Sequence, residues 1–303
     1  MIKLKTLRLC DQPTSNKTKS NMKIIKKQNI IISNSETRDF LADSFYPETD
    51  KKLPLIVFVH GYKGYKDWGA WNLMAEKFAE AGFFFVKFNF SHNGTTVSDP
   101  NNFADLAAFG NNNYSKELSD LSVVIDYFIN HEKVDDEKVV LIGHSRGGAI
   151  SIIKTFEDER INGLITVASV DTLDRFPRND AFEKWKEAGV YYVVNGRTKQ
   201  EMPHYYQFYE DFEKDYHRFD VERAAEMAKA HFLIIHGTND ESVPVKNAEH
   251  LHILNPNSEL YLIENGNHTF GAKEPWEEND LPEDLNKVVE KSIEFINEKI
   301  VNE

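Results

Sequence analysis

The chain has 303 residues, 41% of them hydrophobic and 28% charged, the balance of a globular protein with room for one α/β domain and an insert. Its 36 basic and 49 acidic residues leave a net charge of −13, which argues against a nucleic-acid partner, since such partners call for a basic face. The single cysteine, Cys10, excludes an intrachain disulfide, and no apolar run approaches the length of a membrane span.

In chain order, the N-terminus interleaves lysines with Ile2, Leu4, Leu7 and Leu9 and lacks the apolar stretch of a signal peptide. A cytoplasmic location is therefore the default. Residues 11–23 are polar and rich in Lys, Ser and Asn, and residues 1–21 are expected to form a disordered extension, with Met22 reading as a plausible start. Strands are expected near 27–33 and 37–46. Leu55–Val59 forms another, running into His60-Gly61-Tyr62-Lys63-Gly64. Trp71, Met74, Ala75 and Phe78 recur at helical spacing. The aromatic run Phe83–Phe90 reads as a buried strand rather than an aromatic binding box. The loop Ser91–Asn113 is expected to reach the rim of a site at the strand ends, with His92 in a rim or structural role. Tyr114–Asn130 carries Leu118, Leu121, Val124, Ile125 and Phe128 on one helical face.

Lys138–Ile142 is a short β-branched and apolar strand, and Ala149–Ile153 continues as a helix. Between them stands Gly143-His144-Ser145-Arg146-Gly147, a G-x-S-x-G pattern. A serine hydroxyl is a weak nucleophile that needs a base held against it. A tight strand-to-helix turn exposes it, and small residues two positions to either side avoid collision across that turn. Gly163–Ser169 is the next strand. Residues 170–230 then run too long for a simple crossover and hold Trp185 and many Tyr and Phe among charged residues. They read either as a cap lined with aromatic faces or as an insert whose aromatics pack on the main domain. His231–His236 is a strand leading to Asp240, with Val243-Pro244 opening a helix. Ser258–Glu264 is a strand ending at Asn265-Gly266-Asn267-His268, and a last helix spans about 283–299, with Leu285, Val288, Val289, Ser292 and Ile296 on one stripe. Strands alternating with helices give a doubly wound, mainly parallel sheet. The eleven histidines are scattered. The pair His250 and His252 reads as a solvated helix face, and no zinc-type spacing appears. No metal or cofactor is called for.

Loops after parallel strands are where such sheets build sites, so Ser145, Asp240 and His268 are candidates to act together. Taken singly, Asp240 is a turn former and His268 a polar loop residue. Glu241 and Asp171 are alternative acids.

The segments His60-Gly61-Tyr62-Lys63-Gly64, Gly143–Gly148, His236-Gly237-Thr238-Asn239-Asp240 with Val243-Pro244, and Gly266–Phe270 together resemble the α/β-hydrolase superfamily over roughly residues 30–300. The nearest likeness is to the dienelactone-hydrolase, cinnamoyl-esterase and prolyl-oligopeptidase-like group. The resemblance implies an α/β-hydrolase domain over 22–303, with about eight strands and a helical cap insertion at about 170–230. It implies a triad in the order Ser145, Asp240, His268, and an oxyanion hole made by the backbone N–H groups of Tyr62 and Arg146. Because backbone groups do that work, side-chain identity at those two positions says little about it. The expected activity is hydrolysis of a small-molecule carboxylic ester through an acyl-enzyme on Ser145. Peptidase and thioesterase activities use the same residues and stay open. A non-catalytic binding protein on the same fold is the remaining alternative.

Overall fold

The computed structural model describes residues 23–302; the expected extension, residues 1–21, and the expected start at Met22 lie outside them. The chain opens with β1 (Ile24–Ile32) and β2 (Phe40–Pro47). It then alternates through β3 (Leu53–Val59), α1 (Trp71–Glu80), β4 (Phe84–Phe88), α2 (Leu106–Gly110), α3 (Tyr114–Ile129), β5 (Val134–His144), α4 (Arg146–Glu157) and β6 (Ile161–Val167). The insert contributes α5 (Asp180–Ala188), β7 (Val190–Val194), β8 (Glu201–Tyr205), α6 (Gln207–Lys214) and α7 (Val221–Met227). β9 (His231–Gly237), α8 (Lys246–Leu254), β10 (Glu259–Ile263) and α9 (Glu283–Ile296) complete the domain, and α9 runs on into a π-helical turn, Asn297–Val301.

Eight strands form one sheet in the order β1-β2-β4-β3-β5-β6-β9-β10. The strands from β4 to β10 are parallel, and β1 and β2 add an antiparallel edge. This is the doubly wound, mainly parallel sheet expected from the alternation. The aromatic run shows why it holds. Phe84, Val86 and Phe88 face one core with α3 and α4, whereas Phe85 faces the other with Phe45 and Phe78. A strand buried on both faces needs apolar residues at every position, and Lys87 is the exception. Its ammonium, fully buried, meets Asp43 and Asp67, which Lys66 also bridges at 2.9 and 2.6 Å. Two cations and two carboxylates satisfy one another there, as buried charges must. The quartet ties the loop after β3 to β2 and β4. The stripe Leu285, Val288, Val289, Ser292 and Ile296 of α9 is buried as its spacing predicts, covering the same sheet face as α1.

The insert adds a two-stranded hairpin, β7–β8, to the helices expected there. Val190–Val194 is β-branched and aromatic throughout. Its partner strand contains Pro203, which hides a strand signal but is tolerated where both strands are edges. Parallel winding brings the C-terminal ends of β3, β5, β9 and β10 to one edge of the sheet, so the four motif segments meet there. Among the described residues no helix is long and apolar enough to cross a membrane.

Candidate active site

Ser145 sits between the end of β5 and the first turn of α4 with φ 56° and ψ −122°. A non-glycine residue in this region costs about 1–3 kcal/mol and persists only where its surroundings enforce it. Here the Ser145 N–H donates to the Val167 carbonyl at 2.9 Å, and the Ser145 carbonyl accepts from Gly148 N–H at 2.9 Å. Gly147 lets β3 pass underneath: a Cβ there would stand 2.2 Å from the Val59 oxygen and 2.6 Å from that of His60. Both are backbone atoms and cannot swing away. Gly147→Ala is accordingly expected to lower unfolding free energy by about 2–3 kcal/mol through overpacking. A melting temperature equal to that of the wild type would contradict this close approach.

Asp240 and His268 lie on the loops after β9 and β10 and complete a hydrogen-bonded chain with the serine. His268 Nδ1 is 2.7 Å from Asp240 Oδ2, and His268 Nε2 is 3.1 Å from Ser145 Oγ. Asp240 Oδ1 accepts from the N–H groups of Ser242 and Val243, each at 2.8 Å. His236, fully buried on β9, places Nε2 2.8 Å from the Val243 carbonyl and 3.4 Å from Asp240 Oδ2. Burial alone pushes the Asp240 carboxyl up. The donors on His236 and His268 and the Val243 N–H outweigh it and hold the group well below the usual carboxylate range. Asp240 is therefore an anion at any physiological pH, which fixes the proton on His268 Nδ1 and leaves Nε2 free to accept.

The other two candidate acids are placed elsewhere. Asp171 accepts from Asn247 Nδ2 and pairs with His250 Nδ1 at 2.9 Å, and Glu241 is exposed. The pairing also corrects the expectation of a solvated His250–His252 face. Both are half-buried, and His252 Nδ1 lies 2.8 Å from Ser258 Oγ.

On the other side of Ser145 the peptide joining Gly61 to Tyr62 is locked. The Gly61 carbonyl accepts from Gly64 N–H at 3.0 Å and lies 2.9 Å from His60 Nδ1. Across a trans peptide the N–H points opposite to the carbonyl, so Tyr62 N–H is turned away from that turn. Among the described residues neither Tyr62 N–H nor Arg146 N–H has an acceptor, and the latter is in the first turn of α4, where helix donors are unpaired. Gly61 itself lies against the serine, since a Cβ there would approach Ser145 Cβ to 2.9 Å.

The side chains at these two positions matter more than the sequence suggested. Tyr62 Oη is 2.8 Å from His204 Nε2 on β8. The Arg146 guanidinium packs 5.0 Å from the Tyr62 ring and pairs at 2.7 Å with Glu117, whose carboxyl is pushed up by burial against the lowering effect of that arginine. His204 Nδ1 faces the Met202 carbonyl at 3.2 Å, so it carries the proton and Nε2 accepts from the Tyr62 hydroxyl. Burial, with help from the Arg146 charge, holds His204 down at about 4. Between pH 6.5 and about 4 the unfolded chain binds this proton and the folded chain does not, so the contribution to stability is complete above 6.5. It is lost as pH falls, at about 1.4 kcal/mol per pH unit. An NMR titration of the His204 ring is expected to show a midpoint near 4; a midpoint above 6 would contradict a buried, neutral His204 accepting from Tyr62.

Two cavities open on either side of Ser145 and His268. One, about 450 Å³, is bounded by the His60–Gly64 turn, Trp68, Trp71 and Lys273. The second, about 420 Å³, lies under the insert and is walled by Tyr62, Tyr114, Phe176, Trp185, Tyr191 and Phe208. Some insert aromatics thus do both things expected of them. Trp185 and Phe208 are buried in the core and also face the cavity. Tyr192 and Tyr216 do neither and are exposed. The loop Ser91–Asn113 departs from expectation, because none of its residues lines either cavity. Phe103 and Phe109 bury themselves against Tyr65 and Tyr62 instead, so the loop buttresses the turn from behind. Among the described residues His92 pairs with Ser91 Oγ, at 2.8 Å, a structural role.

Sequence reasoning missed His144, whose Nε2 lies 2.9 Å from the His268 carbonyl. Burial, then the neighbouring His268, pulls it down to about 3, so the neutral ring donates and holds the His268 backbone. It missed His236 as well. Both lie inside the quoted motifs, and each shows its role only once the strands are side by side. Among the described residues no three His, Cys, Asp or Glu side chains gather to hold a metal.

A family model described as the prolyl oligopeptidase family matches residues 77–280, well over half the chain. The quorum-quenching protein AidA of Acinetobacter baumannii (strain MDR-ZJ06) is 25% identical over 122 residues, 40% of this chain and 37% of that protein. The uncharacterized protein YcjY of Escherichia coli (strain K12) is 27% identical over 142 residues, 46% of this chain and 44% of that protein. The matches thus span less than half the length of these curated relatives. Est1E from Butyrivibrio proteoclasticus, solved with ferulic acid bound, superposes with a TM-score of 0.69 at 19% identity, over 90% of this chain and 100% of that one. At that identity the likeness shows the α/β-hydrolase fold alone. The chain belongs to the prolyl oligopeptidase family and has the α/β-hydrolase fold.

Proposed function

We propose that this protein is a serine esterase that cleaves carboxylic esters through an acyl-enzyme. The observation that carries the reading is the unbroken chain from Asp240 Oδ2 through His268 to Ser145 Oγ, with links of 2.7 and 3.1 Å. In this reading His268 Nε2 takes the Ser145 proton as Oγ attacks the ester carbonyl carbon, and the carbonyl π electrons move to oxygen. The N–H groups of Tyr62 and Arg146 stabilise that oxyanion, each worth about 2.7–4 kcal/mol in comparable sites. The tetrahedral intermediate collapses, the C–O bond to the alcohol breaks, and His268 returns the proton to the leaving oxygen. Water, deprotonated by His268, then attacks the acyl-enzyme and releases the acid. Asp240 stabilises the imidazolium at both stages.

Residues 170–230 act as a cap in this reading, because the cavity they cover reaches Ser145 and carries Phe176, Trp185, Tyr191 and Phe208 of the insert on its wall. An aromatic or short acyl group fits that wall. Est1E, which holds ferulic acid, is a structural precedent for an aromatic acid on this fold. The family name favours a peptidase as the second reading. A panel of p-nitrophenyl, feruloyl and thioester substrates beside aminoacyl amides separates the two. Ester turnover is expected to exceed amide turnover; equal or faster amide cleavage would overturn the esterase assignment in favour of the peptidase.

A further inference from the structure

The charge around the site runs against the charge of the chain. Acidic residues outnumber basic ones by 49 to 36 overall. The walls of the two cavities at Ser145 instead carry Lys63, Arg146, Arg175, Arg197 and Lys273 against the single carboxylate of Glu274. Glu274 is already engaged with the Gly69 N–H and the Tyr65 hydroxyl, and Arg146 is engaged by Glu117. Lys63 is different. It is half-buried between the core and the insert, with Nζ 3.4 Å from the Val194 carbonyl and 4.9 Å over the Tyr62 ring. No carboxylate of the described residues lies within 4 Å of it. Desolvation pulls it below the ordinary lysine range. Arg197 and Lys273 on the same cavity wall are also without a carboxylate partner among the described residues, Arg197 lying 5.8 Å over the Tyr65 ring.

An ammonium that has lost water and gained only a long carbonyl contact and a ring face keeps an uncompensated charge. A cleft walled by one sign of charge focuses its field on a ligand of the opposite sign. We propose that the substrate is an anionic ester, one bearing a carboxylate remote from the scissile bond that seats against Lys63 and Arg197 in the cavity between the His60–Gly64 turn and the insert. The proposal rests on Ser145 being the nucleophile.

The test compares pairs that differ only in that charge. p-Nitrophenyl hemiglutarate against its neutral methyl diester places the charge on the acyl side. 4-Acetoxybenzoate against its methyl ester places it on the leaving group. In one of the two pairs the wild type is expected to favour the anion in kcat/KM by about tenfold at low salt, and the preference is expected to shrink in about 0.5 M NaCl. Lys63→Met and Arg197→Gln should each cut the ratio severalfold, whereas Lys63→Arg should keep it. A wild-type ratio of one or less in both pairs would overturn the proposal, as would a ratio that survives the Lys63→Met, Arg197→Gln double variant. If Lys63→Met does not fold, Arg197→Gln, on an exposed turn, and the salt dependence of the wild type decide alone. If none of these esters turns over, protection of Ser145 from a neutral fluorophosphonate by monomethyl glutarate against dimethyl glutarate reads the same preference, and equal protection overturns it. Absence of any labelling at Ser145 would instead sink the nucleophile reading beneath it.

Discussion

Ser145→Ala is expected to lower kcat/KM for ester hydrolysis by about 10⁴-fold or more without disturbing the fold. The substitution removes Oγ and its 3.1 Å contact with His268 Nε2 but leaves the two hydrogen bonds that hold the turn, which are made by the backbone. Circular dichroism and a melting curve establish that the variant is folded, and steady-state kinetics read the loss. The residual rate should come from the oxyanion donors and from binding alone. A folded variant that retains more than about a tenth of the activity would mean that another group attacks the substrate.

Asp240→Asn carries the second large effect, a loss of about 10⁴-fold in kcat. The side chain keeps its shape. Its Oδ1 position already takes two backbone donors, Ser242 N–H and Val243 N–H, so the new amide must point its NH₂ at His268 and His236. The amide donor then faces the His268 Nδ1–H donor, and the ring escapes by moving its proton to Nε2. That is the nitrogen that must accept from Ser145, so the base is lost while the geometry stays. Removing His236 should do less, because the 2.7 Å bond from His268 to Asp240 persists. A loss of about tenfold is expected for His236→Phe, in keeping with one supporting hydrogen bond. Glu241→Gln should leave activity within about twofold, as for a surface substitution remote from the reacting groups. If Glu241→Gln were the damaging change and Asp240→Asn the mild one, the acid would have been assigned to the wrong residue.

How far the sequence carried the account depended on how local each feature is. The Gly143–Gly147 turn is legible because its constraints lie within five residues, and the sheet is legible because buried strands such as Leu53–Val59 leave a continuous apolar run. Asp240 and His268 are legible as loop residues after strands. The supporting histidines are not. His144 acts on the His268 carbonyl and His236 on Asp240 only through the side-by-side placement of β5, β9 and β10, and nothing in their spacing announces it. The loop 91–113 departs from its sequence pattern for the opposite reason. Its Asn, Gly and Asp residues suggest an exposed rim, yet Phe103 and Phe109 drive it into the protein against Tyr65 and Tyr62. The insert hairpin was hidden by Pro203. The link from Tyr62 to His204 joins residues 142 positions apart. It makes one residue both the support of the insert and the bearer of a proposed oxyanion donor, which no reading of either segment alone contains.

The most direct test of the central claim is peptide-resolved mass spectrometry after brief exposure to a fluorophosphonate. One adduct per chain is expected, on the peptide containing Ser145, with labelling slowed strongly in Asp240→Asn and in any His268 variant. No adduct on the folded wild-type protein, or an adduct on a different residue, would contradict it.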